Sequence, residues 1–300
     1  MADDLPGLLV AGERAAFHGR PAAGVDPLRR AVDLATAEGL TAEAAGAGWL
    51  LGVCLASAGR YGGALEVLDP LVAGTGSAES LVLSALASAT AASVHRQLGR
   101  HSVAQGYDER ALEGSGGTGE AGFDALLGLA ADAVGLGDAE VAAGRLDEAT
   151  AVVGDRADWW RQRVRLGWVR AEVALLRGHA EEAAASAHDS VDLAEQSGAP
   201  RHVAKGLLFL GVAQVEAGQL TDAATVLRRA GLLAESLGTL PLQWPARAVL
   251  GALLAEDAPA ESERALAAAR RAVTAIADDL PEPLRVEWLG RPDVDALLQS

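Results

Sequence analysis

Arg161, Arg165, Trp168 and Glu172 follow one another at spacings of 4, 3 and 4. On a helix those spacings place all four on one face. Such a face offers cationic groups to a partner's carboxylate, with a large rigid apolar surface beside them. It also has a plainer reading, in which Trp168 packs into a core and the arginines pair with acids such as Glu172. Lys205 and Phe209, farther along, carry a second cation beside an aromatic ring.

Little else in the chain has the makings of chemistry. There is no GxSxG, HExxH, P-loop or CxxC motif, and the glycines at 114–119 lack the Lys-Ser/Thr that a phosphate loop requires. The pairs Glu181-Glu182 and Asp278-Asp279 are adjacent in sequence, so on a helix they point to different faces and read as solvated. His95 and His101 flank Gly99 and could meet across a turn, but a metal needs more ligands than these two. His18 and His179 stand beside other turns, where a histidine suits a helix C-terminus. Cys54, the single cysteine, reads as a buried structural thiol. No metal, no cofactor and no enzymatic activity are expected.

These residues need elements to position them, and a repeat supplies them. Gly19, Gly59, Gly99, Gly144, Gly178 and Gly218 are separated by 40, 40, 45, 34 and 40 residues, and Ala258 falls 40 further on. Each glycine is followed by a polar residue: Arg20, Arg60, Arg100, Arg145, His179, Gln219. Seven residues before each turn stands a small residue (Gly12, Gly52, Ala92, Gly137, Ala171, Gly211, Gly251), and five after it another, as at Ala64 and Ala223. Small residues on facing positions let two helices cross closely, and a glycine ends the first helix with positive φ at no steric cost. A fixed period of this size marks a solenoid, in which each helix pair buries its apolar stripe only by stacking on its neighbours.

The Leu-Gly pairs (Leu51-Gly52, Leu136-Gly137, Leu210-Gly211, Leu250-Gly251), the turn glycines and the alanines five residues on resemble the tetratricopeptide repeat (TPR). The resemblance runs over roughly residues 5–279. The period, mostly 40 where the family has about 34, is similar to the extended-helix kind found in bacterial regulators. The resemblance implies an all-α, right-handed superhelix of about seven helix pairs, one domain over 1–300, with a C-terminal cap at 280–300. The glycine-rich 114–119 reads as a long loop between repeats 3 and 4, with a hinge placed at 114–120. In the last segment Trp288, Leu289, Val294, Leu297 and Leu298 could lay one helix over the open end.

In the TPR family the first helix of each pair lines a concave groove that binds peptides, often through basic residues. Counted back from their turn glycines, Arg165 and Lys205 hold the same repeat position. The resemblance therefore implies a non-enzymatic scaffold that binds a protein or peptide at Arg161, Arg165, Trp168, Glu172, Lys205 and Phe209. A sensor closing on a short signalling peptide or small molecule is the second reading, and an α-superhelical enzyme the third.

Composition sets outer limits. A net charge of −16 repels phosphate backbones and argues against direct nucleic-acid binding. One lysine, one isoleucine and no asparagine fit a GC-rich, actinobacterium-like genome. The N-terminus lacks the basic and apolar regions of a signal peptide. No run approaches the roughly 18 uninterrupted apolar residues of a membrane span, and a lone cysteine fits a reducing cytoplasm. Partner identity and oligomeric state are left open.

Overall fold

The computed structural model describes residues 4–73 and 78–300. Its described residues form sixteen helices and no strand. Fourteen helices make seven antiparallel pairs. They are α1 (Leu5–His18) with α2 (Ala22–Ala37), α3 (Thr41–Ala58) with α4 (Tyr61–Val72), α5 (Ala78–Gln97) with α6 (His101–Ser115), and α7 (Gly119–Gly135) with α8 (Ala139–Val153). Then follow α9 (Trp160–Leu176) with α10 (Ala180–Gln196), α11 (Pro200–Glu216) with α12 (Leu220–Leu237), and α13 (Leu240–Leu253) with α14 (Pro259–Asp279). Two short helices, α15 (Glu282–Leu289) and α16 (Pro292–Gln299), end the chain.

Five of the seven turns within pairs share one construction; the first has Gly19 at φ −137°, and the last has Ala258 in place of a glycine. Gly59, Gly99, Gly137, Gly178 and Gly218 all take positive φ, between 73° and 85°. The N–H of the next residue then bonds back to the carbonyl five residues earlier, as in Arg60 to Leu55, Asp138 to Ala133 and Gln219 to Gln214. This is the Schellman closure of a helix C-terminus. It corrects the fourth turn: Gly144 lies exposed within α8, and Gly137 makes the turn. The five glycines are therefore spaced by 40, 38, 41 and 40 residues, without the irregular intervals of 45 and 34.

The crossings follow from the same register. Nine residues after the turn, a leucine drops onto the small residue of the preceding helix. A Cβ on Gly12, Gly52 or Gly211 would stand within 2.3 to 2.6 Å of an atom of Leu28, Leu68 or Leu227. Only a glycine, or elsewhere a small alanine such as Ala130 under Leu146, leaves that space.

Pro27 lies inside α2 beyond its first turn, Leu40 is the N-cap of α3, and Pro245 is accommodated inside α13, so α12 and α13 are parted by Gly238–Thr239. Two expectations need correction, at the glycine-rich segment and in the tail. Glycines 114–119 do not form a long loop, because α6 continues through Ser115 and α7 starts at Gly119. The Gly74–Gly76 break lies outside the described residues. The tail is two helices instead of one, and Leu298 is exposed while Trp288, Val294 and Leu297 are buried. Helix α3 is the one helix among the described residues whose length and composition would suit a membrane span; half of it is buried against its neighbours.

Each odd-numbered helix packs on the next odd-numbered one along the row from α1 to α13, whereas the even-numbered helices make no comparable row. The odd helices are thus the inner layer of the curve. Five pairs bring the chain back onto itself, with α11 against α1, α13 against α3 and α14 against α4. Specific bonds seal that seam. Thr239 Oγ1 donates to Ser57 O at 2.6 Å, and Arg60 meets Asp279 at 3.2 Å. The largest apolar cluster accordingly mixes Leu51, Leu55 and Val94 from early repeats with Val273, Ile276 and Trp288 from the last.

Candidate functional site: a charged lumen

The inner helices carry most of the deeply placed ionisable groups, and they face one another inside the coil. With Gly137 as the fourth turn, the repeat register explains the pairings. Asp124, Arg165 and Lys205 each stand thirteen residues before their turn glycine, on α7, α9 and α11. Glu120, Arg161 and Arg201 each stand seventeen before it. Stacked repeats bring like positions together. Arg165 accordingly bonds Asp124, and Arg161 reaches Glu120 at 3.1 Å and Asp124 at 3.8 Å.

At one end of the lumen Arg96 on α5 bridges two buried carboxylates. It bonds Asp132 on α7 at 2.7 Å and also Asp108 on α6. Asp108 holds the position that Leu28, Leu68 and Leu227 fill elsewhere, so here a carboxylate replaces the crossing leucine. Burial pushes its carboxyl well above the usual range, against the pull of Arg96. Burial likewise opposes charge on Arg96, but Asp108 and Asp132 together hold its pKa above the ordinary value. His101 Nδ1 lies 3.8 Å from Asp132, while His95 packs on Tyr107 and is pushed down to about 4 by burial and Arg100. No cluster of three or more metal-binding side chains occurs among the described residues.

At the other end α9 and α11 bring cations together. Lys205 Nζ sits 4.7 Å from the Trp168 ring centroid and 5.6 Å from that of Phe209. Burial, then the neighbouring arginines, lowers its pKa to about 8, with Glu172 opposing. Glu172 itself is raised by burial. Arg201 is lowered to about 10 by burial and by Arg165. These side chains keep some contact with water in the lumen, yet protein surrounds them, which is why desolvation governs their titration.

The structure thus brings Arg161, Arg165, Glu172, Lys205 and Phe209 into one inner region, but it changes two roles. Trp168 presents no open apolar face: it is 4% exposed, sits in the core and stacks on His202 with centroids 5.4 Å apart. Arg165 pairs with Asp124 and not with Glu172. Sequence reasoning missed Arg96, Asp108, Asp124, Asp132, Arg201 and His202. A cleft of about 280 Å³ between α8, α9 and α10, lined by Arg163, Arg170 and Asp189 among others, lies apart from this lumen.

No protein-family model matches the chain, and no curated protein matches it. Solved structures do resemble it. A Rap protein complexed with competence and sporulation factor superposes with a TM-score of 0.66 at 11% identity, over 92% of this chain and 78% of that one. Aspartyl phosphate phosphatase F from Bacillus subtilis gives 0.52 at 12% identity, over 100% and 82%. At such identity the likeness concerns architecture, which agrees with the repeat register: this chain is a TPR-like helical-repeat protein built as an α-superhelix.

Proposed function

We propose that the chain is a non-enzymatic, cytoplasmic scaffold that binds a protein or peptide partner in its lumen and serves a regulatory role. The observation that carries this reading is the inner layer itself. A protein of net charge −16 gathers Arg96, Arg161, Arg165, Arg201 and Lys205 on the facing surfaces of three helices. Arg96, Arg161 and Arg165 pair there with Asp108, Asp132, Asp124 and Glu120, which leaves Arg201 and Lys205 as cations without an ion pair among the described residues. At contact distance such a local pair outweighs charges that salt screens beyond roughly 8–10 Å. The Rap structure bound to competence and sporulation factor supports the same use of a similar fold. Residues proposed to meet the partner are Arg161, Arg165, Glu172, Lys205 and Phe209, with Trp168 supporting Lys205 from the core.

The test is affinity capture from native lysate, followed by mass spectrometry, with wild-type protein and the Arg165→Ala, Lys205→Ala double variant. A partner held in the lumen is lost from the variant. Equal capture by both proteins would move the binding surface to the acidic exterior.

A sensor for a short signalling peptide or small molecule is a second reading, favoured by the seam that closes the coil after five pairs. Under that reading the Gly116–Thr118 turn, with Gly116 and Gly117 both at positive φ, is proposed as the hinge. Small-angle scattering with and without the captured ligand separates the readings, because only a sensor changes its radius of gyration.

A further inference from the structure

We propose that the turn edge of the fourth to sixth helix pairs, with Leu136, Leu220 and a row of carboxylates, is a docking surface. The partner it fits is a protein that presents apolar side chains set among lysines and arginines. This surface lies outside the lumen and is independent of what binds there.

The seam shows what a turn edge does in this fold. The turn of the first pair rests on the link between α10 and α11, where His18 Nδ1 lies 3.3 Å from Gly198 O. The turn of the second pair rests on the link between α12 and α13, with Thr239 bonding Ser57 O. A Cβ on Gly59 would there meet Leu240 Cβ at 2.9 Å. The third turn takes the cap, where Arg291 donates to Gln97 O and Glu287 meets Arg100. The contact thus advances by one pair at each step, as stacking with a steady rotation requires. It buries two repeat positions. Leu98, one residue before its turn glycine, is 3% exposed, and Tyr61, two residues after its own, is 1% exposed. Both belong to the apolar cluster that seals the seam.

The next three turns hold apolar residues at those positions with nothing over them. Leu136 stands one residue before Gly137, as Leu98 does before Gly99, yet it is 52% exposed. Leu220 stands two after Gly218, as Tyr61 does after Gly59, yet it is 51% exposed. Val141 and Leu176 are exposed on the same edge. A Cβ on Gly137, Gly178 or Gly218 would meet no atom within 4 Å. The edge therefore continues the seam and is uncovered among the described residues.

Its charge is opposite to that of the covered turns. Residues 58–63 and 98–103 hold one arginine each and no carboxylate. Those arginines meet acids on the edge that docks, Arg60 with Asp279 and Arg100 with Glu287. Residues 136–141, 177–182 and 217–222 together hold five carboxylates and one arginine. Arg177 engages Glu140, and His179 lies near Glu182, whereas Glu181 and Asp222 have no cationic partner among the described residues. Acids in the first turns of α8, α10 and α12 also suit the helix dipoles. That accounts for the charge but not for the bare leucines. An edge that docks here must carry cations around apolar groups. A second copy would bring the wrong sign, because its links hold Glu38 and Glu43, then Asp155 and Asp158 with only Arg156 against them. The occupant is therefore a different protein, with a basic surface.

Photo-crosslinking tests this with the full chain in native lysate. p-Benzoylphenylalanine replaces Leu220 or Leu136, and Leu232, as exposed but farther along α12, is the control position. Mass spectrometry then identifies the attached segment. Attachment from 220 and 136, but not from 232, to a segment with lysines or arginines around apolar residues supports the surface. Two variants are then read at position 220. Glu181→Lys with Asp222→Lys reverses charge, and Leu136→Ser with Val141→Ser removes apolar contact and leaves the charge as it is. All four residues are exposed, so helicity and melting should stay at wild-type values. Each variant should lower the cross-linking yield about tenfold or more. Arg165→Ala with Lys205→Ala should leave it unchanged. No cross-link above the control, attachment to a second copy or to an acidic segment, or a yield indifferent to both edge variants overturns the proposal. A yield lost only in the Arg165→Ala, Lys205→Ala variant overturns it too, by making the captured protein the lumen partner. An intact edge cross-link with no partner held in the lumen supports the edge and counts against the lumen reading alone.

Discussion

Leu227 fills the space over Gly211: a Cβ on that glycine would stand 2.6 Å from Leu227 Cγ. The contact joins α11 to α12 at their crossing, and Ala223, fully buried, lies one turn earlier on α12. Gly211→Leu or Ala223→Leu forces the helices apart, at about 1–3 kcal/mol or more by overpacking. Chemical denaturation should show a lower midpoint for both variants. An unchanged midpoint in both would mean that the crossing tolerates bulk and that the small residues serve some other purpose.

The seam between the first and last repeats depends on Trp288. It is 1% exposed, its Nε1 donates to Val273 O at 3.2 Å, and its ring meets that of Trp244 edge-on. Arg291, beside it, donates to Gln97 O, and Arg100 meets Glu287 at 2.9 Å. Trp288→Ala should cost about 3–5 kcal/mol, as large-to-small changes in a packed core do. It should also expose early repeats, because they share this cluster. Hydrogen exchange will then quicken in α3 to α5 as well as in the tail. Faster exchange confined to α15 and α16 would mean that the seam is only a local cap.

The repeat was legible because small residues recur on a fixed helical face. The slip at the fourth turn was physical in origin. Gly137 and Gly144 are seven residues apart, close to two turns of helix, so either choice keeps the small residues on the same face. That slip hid Asp124 and Glu120, which share repeat positions with Arg165 and Arg161 only when Gly137 is the turn. The burial of Trp168 could have been read the same way, since it stands ten residues before its turn, as do the buried Leu127 and Leu208. The closed seam had no local sign. It joins residues about 180 apart, such as His18 with Gly198, through the summed rotation of five pairs.

Cys54 is fully buried, and its thiol is raised to about 12 by burial. Thiolate is the reactive form, so alkylation of the native protein should be slow at neutral pH. Iodoacetamide followed by mass spectrometry should find Cys54 unmodified in the folded protein and modified in denaturant. Rapid labelling under native conditions would show that the α3 core opens far more often than its packing implies.

The Asp108–Arg96–Asp132 group gives a pH signature whose sign can be worked out. Burial raises the Asp108 pKa well above 3.8 in the folded protein, whereas the unfolded chain returns it to the ordinary value. Between those two values the folded state holds a proton that the unfolded state has released. Stability therefore falls as pH rises through that window, the reverse of an ordinary salt-bridged aspartate. Asp108→Asn keeps an acceptor for Arg96 and removes the titration, so its stability should change less over the same range. Near neutral pH that variant should lose little, within about 1 kcal/mol, because a neutral amide replaces a charge that burial opposes. Arg96→Gln strands Asp132 and Asp108 without a cation, and breaking a buried pair in this way costs about 3–5 kcal/mol. Urea unfolding of the wild type and both variants at mildly acidic and mildly alkaline pH separates these effects. Equal pH slopes for the wild type and Asp108→Asn would show that Asp108 is ionised throughout, with Arg96 outweighing its burial.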